Sequence, residues 1–417
     1  MKKFLLPLIF LTSCVSNTNI EYPIPQETQP NTNSSITSTV INDETIIKLR
    51  KGVSPTEYAK ENNLELVYKI GLDMYLFKGT VTRNALRSDT IERFEKNNSL
   101  KMPPIQSKEV IVSDLKIYSD ESPSNDPLVT AQYGIFKTNA DKAWKIQKGK
   151  PEVIVAVIDS GVDGSHPEFE GQLLPGYDFS SDKPTAGGNV DGYGHGTHVA
   201  GVIGAKTNNG IGISGISPNC KILPVRIFNN WGHTTSGAST AAIIWAVDNG
   251  AKVINASWGS PLPGQAFHDA IKYALEKDVV VVAAVGNSGN NDPETAGYPG
   301  KSPGVIGVAA STDIDGWATF STFGDQVSVA APGKGILSTY PMQISNGYRI
   351  MEGTSMAAPA VTAAVALIRS QFPNMNQKQV KELLEKTAKD IVMTGLDQYS
   401  GHGRIDIEKA LLTGNGK

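Results

Sequence analysis

Three short stretches of the chain hold the residue types that acid–base and nucleophilic chemistry requires. In Val157-Ile158-Asp159-Ser160-Gly161 a carboxylate directly follows an apolar run. If that run is a buried strand, Asp159 stands at the carboxyl edge of a sheet, partly removed from water yet within reach of a neighbouring loop. Taken alone, Asp-x-Gly is also an ordinary turn. In Gly194-His195-Gly196-Thr197-His198-Val199-Ala200-Gly201 a histidine framed by glycines opens a small-residue helical pattern. An imidazole can accept a proton on one nitrogen while a carboxylate holds the other, which is the arrangement of a general base. His195 and His198, three apart, could instead ligate a metal, but no glutamate stands between them as in H-E-x-x-H, and no cysteine or third histidine is near in sequence. In Gly353-Thr354-Ser355-Met356-Ala357-Ala358-Pro359 a serine sits where an Ala-rich helix begins. The unpaired N–H groups and dipole of a helix start favour an oxyanion beside its hydroxyl. Pro359 suits such a start if it lies near the first turn. Singly, Ser355 reads first as a helix cap.

The elements that must position these groups alternate in type. Val153 to Ile158, Ile222 to Phe228, Lys252 to Ala256, Val279 to Val285 and Val305 to Ala309 are near-continuous apolar runs, as parallel strands buried on both faces require. His198 to Ala205, Gly237 to Asn249, Pro263 to Lys277, Met356 to Phe372 and Gln377 to Lys386 carry helical patterns. This order predicts an α/β domain over residues 126–417, with a mostly parallel sheet and right-handed crossovers. Ahead of it, Thr45 to Leu49 reads as a strand, Pro55 to Asn62 as a helix, Leu64 to Lys78 as two strands turned near Gly71, and Thr82 to Glu95 as a second helix. That makes a small α+β module over residues 43–112, marginal in size for standing alone. Periodicity fades over residues 98–125, where Pro103, Pro104 and Pro123 fall, and a linker is expected over 113–125.

A net charge of −3 over 417 residues offers no basic field for nucleic acid, and 40% apolar against 19% charged residues describes a globular chain. Two cysteines exclude a disulfide scaffold, and Cys220, just ahead of an apolar run, reads as a buried free thiol. At the start, Lys2 and Lys3 precede the apolar run Phe4 to Leu11, too short to span a bilayer but laid out like an export signal over residues 1–13. The run ends Leu11-Thr12-Ser13-Cys14, which resembles a bacterial lipobox. Cys14 is therefore expected to be lipid-modified, with each buried methylene adding roughly 0.8 kcal/mol to anchoring. A plain secretory signal is the alternative, and export holds under both. Residues 14–42, rich in Asn, Thr, Ser and Pro, read as a flexible tether.

Asp, His and Ser in that chain order and on those motifs resemble the subtilisin-like serine proteases, thermitase-like members among them, from about Asp126 to the C-terminus. The resemblance implies a three-layer subtilisin-like α/β fold and a serine endopeptidase working through an acyl-enzyme. It gives Asp159 the task of orienting the imidazole, His195 that of base and then acid, and Ser355 that of nucleophile. It also chooses His195 over His198, which composition alone could not, and leaves His198 structural. A fourth match, Ala284-Val285-Gly286-Asn287-Ser288-Gly289, puts Asn287 at the family's oxyanion-hole position. Ser257-Trp258-Gly259 falls on the edge segment that pairs with substrate backbone, Ala284, Val285 and Gly286 on the opposite wall of the primary pocket, and Gly297 at its floor. A floor without a side chain and walls without carboxylates imply a large apolar side chain before the scissile bond. Trp258 would narrow a more distant pocket or simply be core.

The same resemblance implies a structural Ca²⁺ held by the side chains of Asp126, Glu168 and Asn209 and the carbonyls of Ile211 and Ile213, with Glu168 standing where relatives usually carry Asp. A Gly/Asn loop without metal is the alternative. No organic cofactor is expected. The N-terminal module resembles the family's propeptide, a folding aid and inhibitor, so the chain would be a zymogen that cuts itself somewhere between Ser107 and Asn125. The partners implied are protein or peptide substrates, the chain's own propeptide and a membrane reached through Cys14, with no nucleic acid and a monomeric state. The place implied is outside a bacterial cell, at its envelope or surface, anchored or released after processing. A catalytically idle binding protein of this family is the alternative, although no motif is broken. An α/β-hydrolase esterase would need G-x-S-x-G and the order Ser, Asp, His, and neither occurs.

Overall fold

A computed structural model describes residues 37–87, 89–102, 106–260, 263–289 and 297–414. The chain divides into two compact units, Met1–Asn31 and Thr32–Lys417. The first, with the export-signal run and Cys14, lies outside the described residues, as does the tether up to residue 36.

The N-terminal module is built from β1 (Thr37–Leu49), α1 (Pro55–Glu61), β2 (Glu65–Gly71), β3 (Met74–Lys78) and β4 (Ile91–Lys101). Ser54 starts α1 by accepting from the Glu57 N–H at 3.3 Å, with Pro55 at the first position, where its missing N–H costs nothing. The β2–β3 hairpin turns on Leu72 and Asp73, both at positive φ, the backbone that matches the twist of paired strands. Ile47, Leu49, Tyr58, Phe77 and Ile91 form a small apolar core. The helix expected over Thr82 to Glu95 is not there. Its second half opens β4, which pairs antiparallel with β1 along most of its length, so a long ladder outweighs the helical propensity of Ile-Glu-Arg-Phe-Glu-Lys.

The rest of the chain runs β5 (Ser107–Glu109), α2 (Tyr133–Lys137), α3 (Ala140–Ala143), β6 (Ile154–Asp159), β7 (Tyr177–Asp178), β8 (Thr185–Ala186), α4 (His195–Gly204), β9 (Lys221–Arg226), β10 (His233–Thr235), α5 (Ser236–Asp248) and β11 (Val253–Ala256). It continues with α6 (Gln265–Glu276), β12 (Val280–Ala284), β13 (Ile306–Ser311), β14 (Val329–Pro332), β15 (Ile336–Thr339), β16 (Tyr348–Met351), α7 (Thr354–Gln371), α8 (Gln377–Thr387) and α9 (Ile407–Thr413). The main sheet has the order β14-β13-β12-β11-β6-β9-β7-β8 and is parallel apart from the last pair. Its strands are apolar on both faces because both faces are covered. Val155 and Val157 of β6 join the cluster that holds α4 and α7, while Ala156 and Ile158 join the one that holds α5 and α6. The architecture is thus α/β in three layers. After β6 the chain adds β9 on one side and β11 on the other, so β6 is a topological switch point, and the crevice at its carboxyl end is where such sheets place a site.

Two ladders join the module and its following segment to this domain. β4 pairs antiparallel with β10, Lys101 opposite His233, and the Met102 N–H reaches the Gly232 carbonyl at 2.8 Å. β5 pairs antiparallel with β16. Side chains add to the first ladder. Asn97 accepts from the Gly237 N–H at 2.9 Å and the Ser236 hydroxyl at 3.0 Å at the start of α5, Glu95 accepts from the Ala266 N–H at the start of α6, and Arg93 pairs with Asp269. Each cap is worth about 1 kcal/mol. The segment expected as a linker is also tied down. Lys116 meets Asp313 at 2.7 Å, and the Tyr118 ring packs on Tyr133 with centroids 5.4 Å apart. Among the described residues no helix is long and apolar enough to cross a membrane. Cys220 is a buried free thiol, its pKa pushed up by burial.

Candidate active site

Asp159 is the last residue of β6 and fully buried. The Ser160 N–H donates to its Oδ1 at 2.7 Å, which fixes the carboxylate at the strand end. His195 is the first residue of α4, so that helix starts three residues earlier than its pattern suggested. The start is held by Asp191, whose carboxylate accepts from the N–H groups of Tyr193, Gly194 and Thr197 and from the Thr197 hydroxyl, at 2.7 to 3.0 Å. Gly196 lets α4 approach the Asp159 loop, because a Cβ there would collide with the Gly161 carbonyl oxygen. As a result His195 Nδ1 lies 2.8 Å from Asp159 Oδ1 and 3.0 Å from Oδ2. Burial works against the imidazolium. The charge and hydrogen bond of Asp159, with Asp191 behind it, outweigh burial and hold the His195 pKa above the usual histidine value. His198 differs. Buried against the carbonyls of Ile336 and Arg349, its pKa is pushed down to about 3, first by burial and then by His195. Both effects favour its neutral form.

Ser355 is the second residue of α7. Its hydroxyl donates to the Ser257 carbonyl at 2.8 Å, and the Ser257 hydroxyl donates back to the Ser355 carbonyl at 2.8 Å. Pro359 explains the second bond. It lies inside α7 rather than near the first turn, and without an N–H it leaves the Ser355 carbonyl without its i+4 donor. Ser257 supplies that donor and is itself held by Asn255, which Thr362 anchors at 2.8 Å. The structure therefore joins Asp159 to His195, and Ser355 to Ser257. Among the described hydrogen bonds the Ser355 hydroxyl is turned to the carbonyl rather than to the imidazole, a direction that one staggered step about Cα–Cβ changes.

Asn287 follows β12, and its Oδ1 accepts from the Thr354 N–H at 2.8 Å and the Thr354 hydroxyl at 2.9 Å. With the oxygen end committed, the NH₂ end is fixed as the donor beside the start of α7. Asp191, Thr354, Asn255 and Thr362 were not singled out from sequence. Asn255 reads there as a strand residue and the others as turn or helix residues, and only the Asp191 spacing ahead of the Gly-His-Gly motif carries a signal of a helix start.

The remaining site residues divide. Gly259 and Gly297 stand back to back, a Cβ on either meeting the other's Cα at about 3 Å, and Ser260 and Tyr298 exchange N–H···O bonds of 2.9 and 2.8 Å. Ala284 and Val285 are buried and Gly286 has φ of +112°, with the Val285 side chain in a core cluster. Residues 290–296 lie outside the described residues. Trp258 is core: its indole N–H donates to the Ile158 carbonyl at 2.7 Å and its ring packs on Phe228 and Phe267, so its side chain narrows no pocket.

The residues expected to hold Ca²⁺ are brought together, but not as a cation site. Both Asp126 and Glu168 are buried. Asp126 accepts from the N–H groups of Asn208, Asn209 and Gly210 and from the Ser214 hydroxyl, at 2.6 to 3.2 Å. Glu168 accepts from the Ile213 N–H at 2.7 Å, the Tyr348 hydroxyl at 3.0 Å and Asn209 Nδ2 at 2.9 Å. Asn209 gives its oxygen to the Ile211 N–H at 3.1 Å. Ca²⁺ requires several oxygens aimed at one point, and here N–H and O–H groups occupy those oxygens, so this set does not fit the ion. Among the described residues no three His, Cys, Asp or Glu side chains gather as metal ligands.

A family model described as the subtilase family, Peptidase_S8, matches residues 150–403. Thermitase from Thermoactinomyces vulgaris is 40% identical over 288 residues, covering 69% of this chain and 98% of thermitase. Fervidolysin from Fervidobacterium pennivorans is 42% identical over 294 residues, but that match spans only 42% of fervidolysin's length. The crystal structure of fervidolysin, described as a keratinolytic enzyme related to subtilisin, superposes with a TM-score of 0.76 at 32% identity, covering 89% of this chain and 61% of that one.

Proposed function

Because the chain belongs to the subtilase family, whose members are serine endopeptidases, we propose that it hydrolyses internal peptide bonds of proteins through Asp159, His195 and Ser355. The observation that carries this reading is the buried Asp159–His195 pair, 2.8 and 3.0 Å, at the carboxyl end of the switch-point strand. In the first half-reaction Ser355 Oγ attacks the scissile carbonyl while its proton passes to His195 Nε2, which requires the hydroxyl to leave the Ser257 carbonyl. Asp159 keeps the imidazole proton on Nδ1 and stabilises the imidazolium. The Asn287 amide donates to the developing oxyanion, with the N–H groups at the start of α7 beside it. As the C–N bond breaks, the leaving amine takes the proton from Nε2. Water then attacks the acyl-enzyme, gives its proton to His195 and leaves the acid, restoring Ser355.

Substrate backbone adds as a strand beside Ser257-Trp258-Gly259, with Ala284, Val285 and Gly286 opposite and the Gly259–Gly297 contact closing the primary pocket. The absence of any carboxylate among these residues supports a large apolar side chain before the cut. The chain is a zymogen whose module is inhibitor and folding aid. The ladders of β4 with β10 and of β5 with β16 support a self-cleavage between Met102 and Ser107, upstream of the stretch expected from sequence, most of which is tied to the catalytic domain. Export and anchoring through Cys14 rest on the sequence alone. Subtilases generally bind calcium and need no organic cofactor. The decisive experiment is turnover of an internally quenched peptide, with N-terminal sequencing of the mature chain. The reading requires cleavage by the wild type and none by Ser355→Ala. Equal turnover by both would refute it.

A further inference from the structure

Glu168 is where this chain departs from the calcium pattern, and its longer arm has a consequence. Compared with an aspartate, the extra methylene carries its carboxylate into the space between the loop 206–214 and β16. There Oε1 accepts from the Ile213 N–H at 2.7 Å and the Tyr348 hydroxyl at 3.0 Å, and Oε2 from Asn209 Nδ2 at 2.9 Å. The packing at Gly212 is close: a Cβ added there would collide with Tyr348 Oη and with Glu168 Oε1. The neighbouring carboxylate, Asp126, is likewise satisfied, by three successive backbone N–H groups and the Ser214 hydroxyl. The loop therefore turns the positive ends of its dipoles inward, the reverse of what a cation shell needs.

We propose that the Glu168 carboxylate replaces a calcium ion at this place, closing the loop 206–214 onto β16 and the Asp126 turn without metal. The clasp joins four parts of the chain: the Asp126 turn, the short turn Pro167–Phe169 that carries Glu168, the loop itself, and Tyr348 at the start of β16. Because β16 ends shortly before Ser355, the clasp also steadies the strand that leads to the nucleophile. This goes beyond the proposed activity and does not depend on it.

The test is amide hydrogen exchange across residues 206–214 in the full chain carrying Ser355→Ala, which cannot digest itself, with chelator and with excess calcium chloride. The expected result is the same protection in both. Protection lost in chelator and restored by calcium would overturn the proposal. Calcium held elsewhere could raise the melting temperature without changing this loop, so the local readout decides. Glu168→Ala should speed exchange across the loop at least about tenfold in both solutions, and a loop that stays protected would also overturn the proposal. If that variant fails to fold, the comparison of solutions in the parent chain still decides.

Discussion

Replacing Asp159 with asparagine tests the pair at the centre of the site. The side chain is isosteric and fully buried, so the packing is kept and the charge alone is lost. The structure predicts how the new amide sits. The Ser160 N–H, 2.7 Å from Oδ1, needs an oxygen there, so the NH₂ group takes the place of Oδ2, 3.0 Å from His195 Nδ1, while the retained amide oxygen stays 2.8 Å from the same nitrogen. A neutral amide with a donor beside Nδ1 holds the Nδ1 proton far less firmly than two carboxylate oxygens do, which admits the tautomer with its proton on Nε2, the nitrogen proposed to accept the proton of Ser355. Loss of this kind costs about 10⁴ in kcat, or about 5.4 kcal/mol of transition-state stabilisation. The pH profile moves as well. The His195 pKa is raised because Asp159 outweighs burial, so without the carboxylate burial dominates and the pKa falls. Activity needs the neutral imidazole, so in the wild type it is lost as pH falls through a value above the usual histidine range, and in the variant that acid limb moves to lower pH. The assay is kcat/KM on a chromogenic peptide across a pH series, with melting curves to establish folding. A loss smaller than tenfold, or an acid limb moved upward, would refute the reasoning.

Asn287→Ala should lower kcat by about 10²–10³, roughly 2.7–4 kcal/mol, a size set by the equivalent donor in subtilisin, with KM little changed. Asn287→Asp keeps an oxygen for Thr354 but removes the donor, so steady-state kinetics should show at least as large a loss. At the module, Glu95→Ala removes a carboxylate from the start of α6 and should destabilise docking in the Ser355→Ala precursor by about 1 kcal/mol, read from the urea midpoint. N-terminal sequencing of the matured wild type should find a start at or before Ser107, and a start among residues 108–125 would contradict the two-ladder placement of the cut.

The parallel strands and their helices were legible because burial on both faces leaves an apolar run that no other element needs. Val279 to Val285 became Val280–Ala284, and Gly237 to Asn249 became Ser236–Asp248. Elements that depend on a distant partner were not. Residues 37–40 carry no apolar rhythm and pair with residues 98–101 of β4, and Thr82 to Glu95 misled through its own helical propensity. β14 has four small or rigid residues, Val-Ala-Ala-Pro, too short a run to stand out. At the site, the motifs pointed to Asp159, His195, Ser355 and Asn287 but not to the residues that support them. Asn255 and Thr362 are 107 residues apart and meet at 2.8 Å beneath Ser257, a contact that no spacing rule reveals. Glu168 was visible as an odd residue at a calcium position, but whether its longer arm would still reach an ion or displace it depended on Tyr348, 180 residues away.

The most direct measurement is stoichiometric labelling of the folded protein with a serine-directed fluorophosphonate, followed by mass spectrometric location of the adduct. Attack by an activated hydroxyl predicts one label per chain, on Ser355, lost when His195 is replaced by alanine. A folded, matured protein that takes no label, or takes it as readily without His195, would contradict the catalytic assignment.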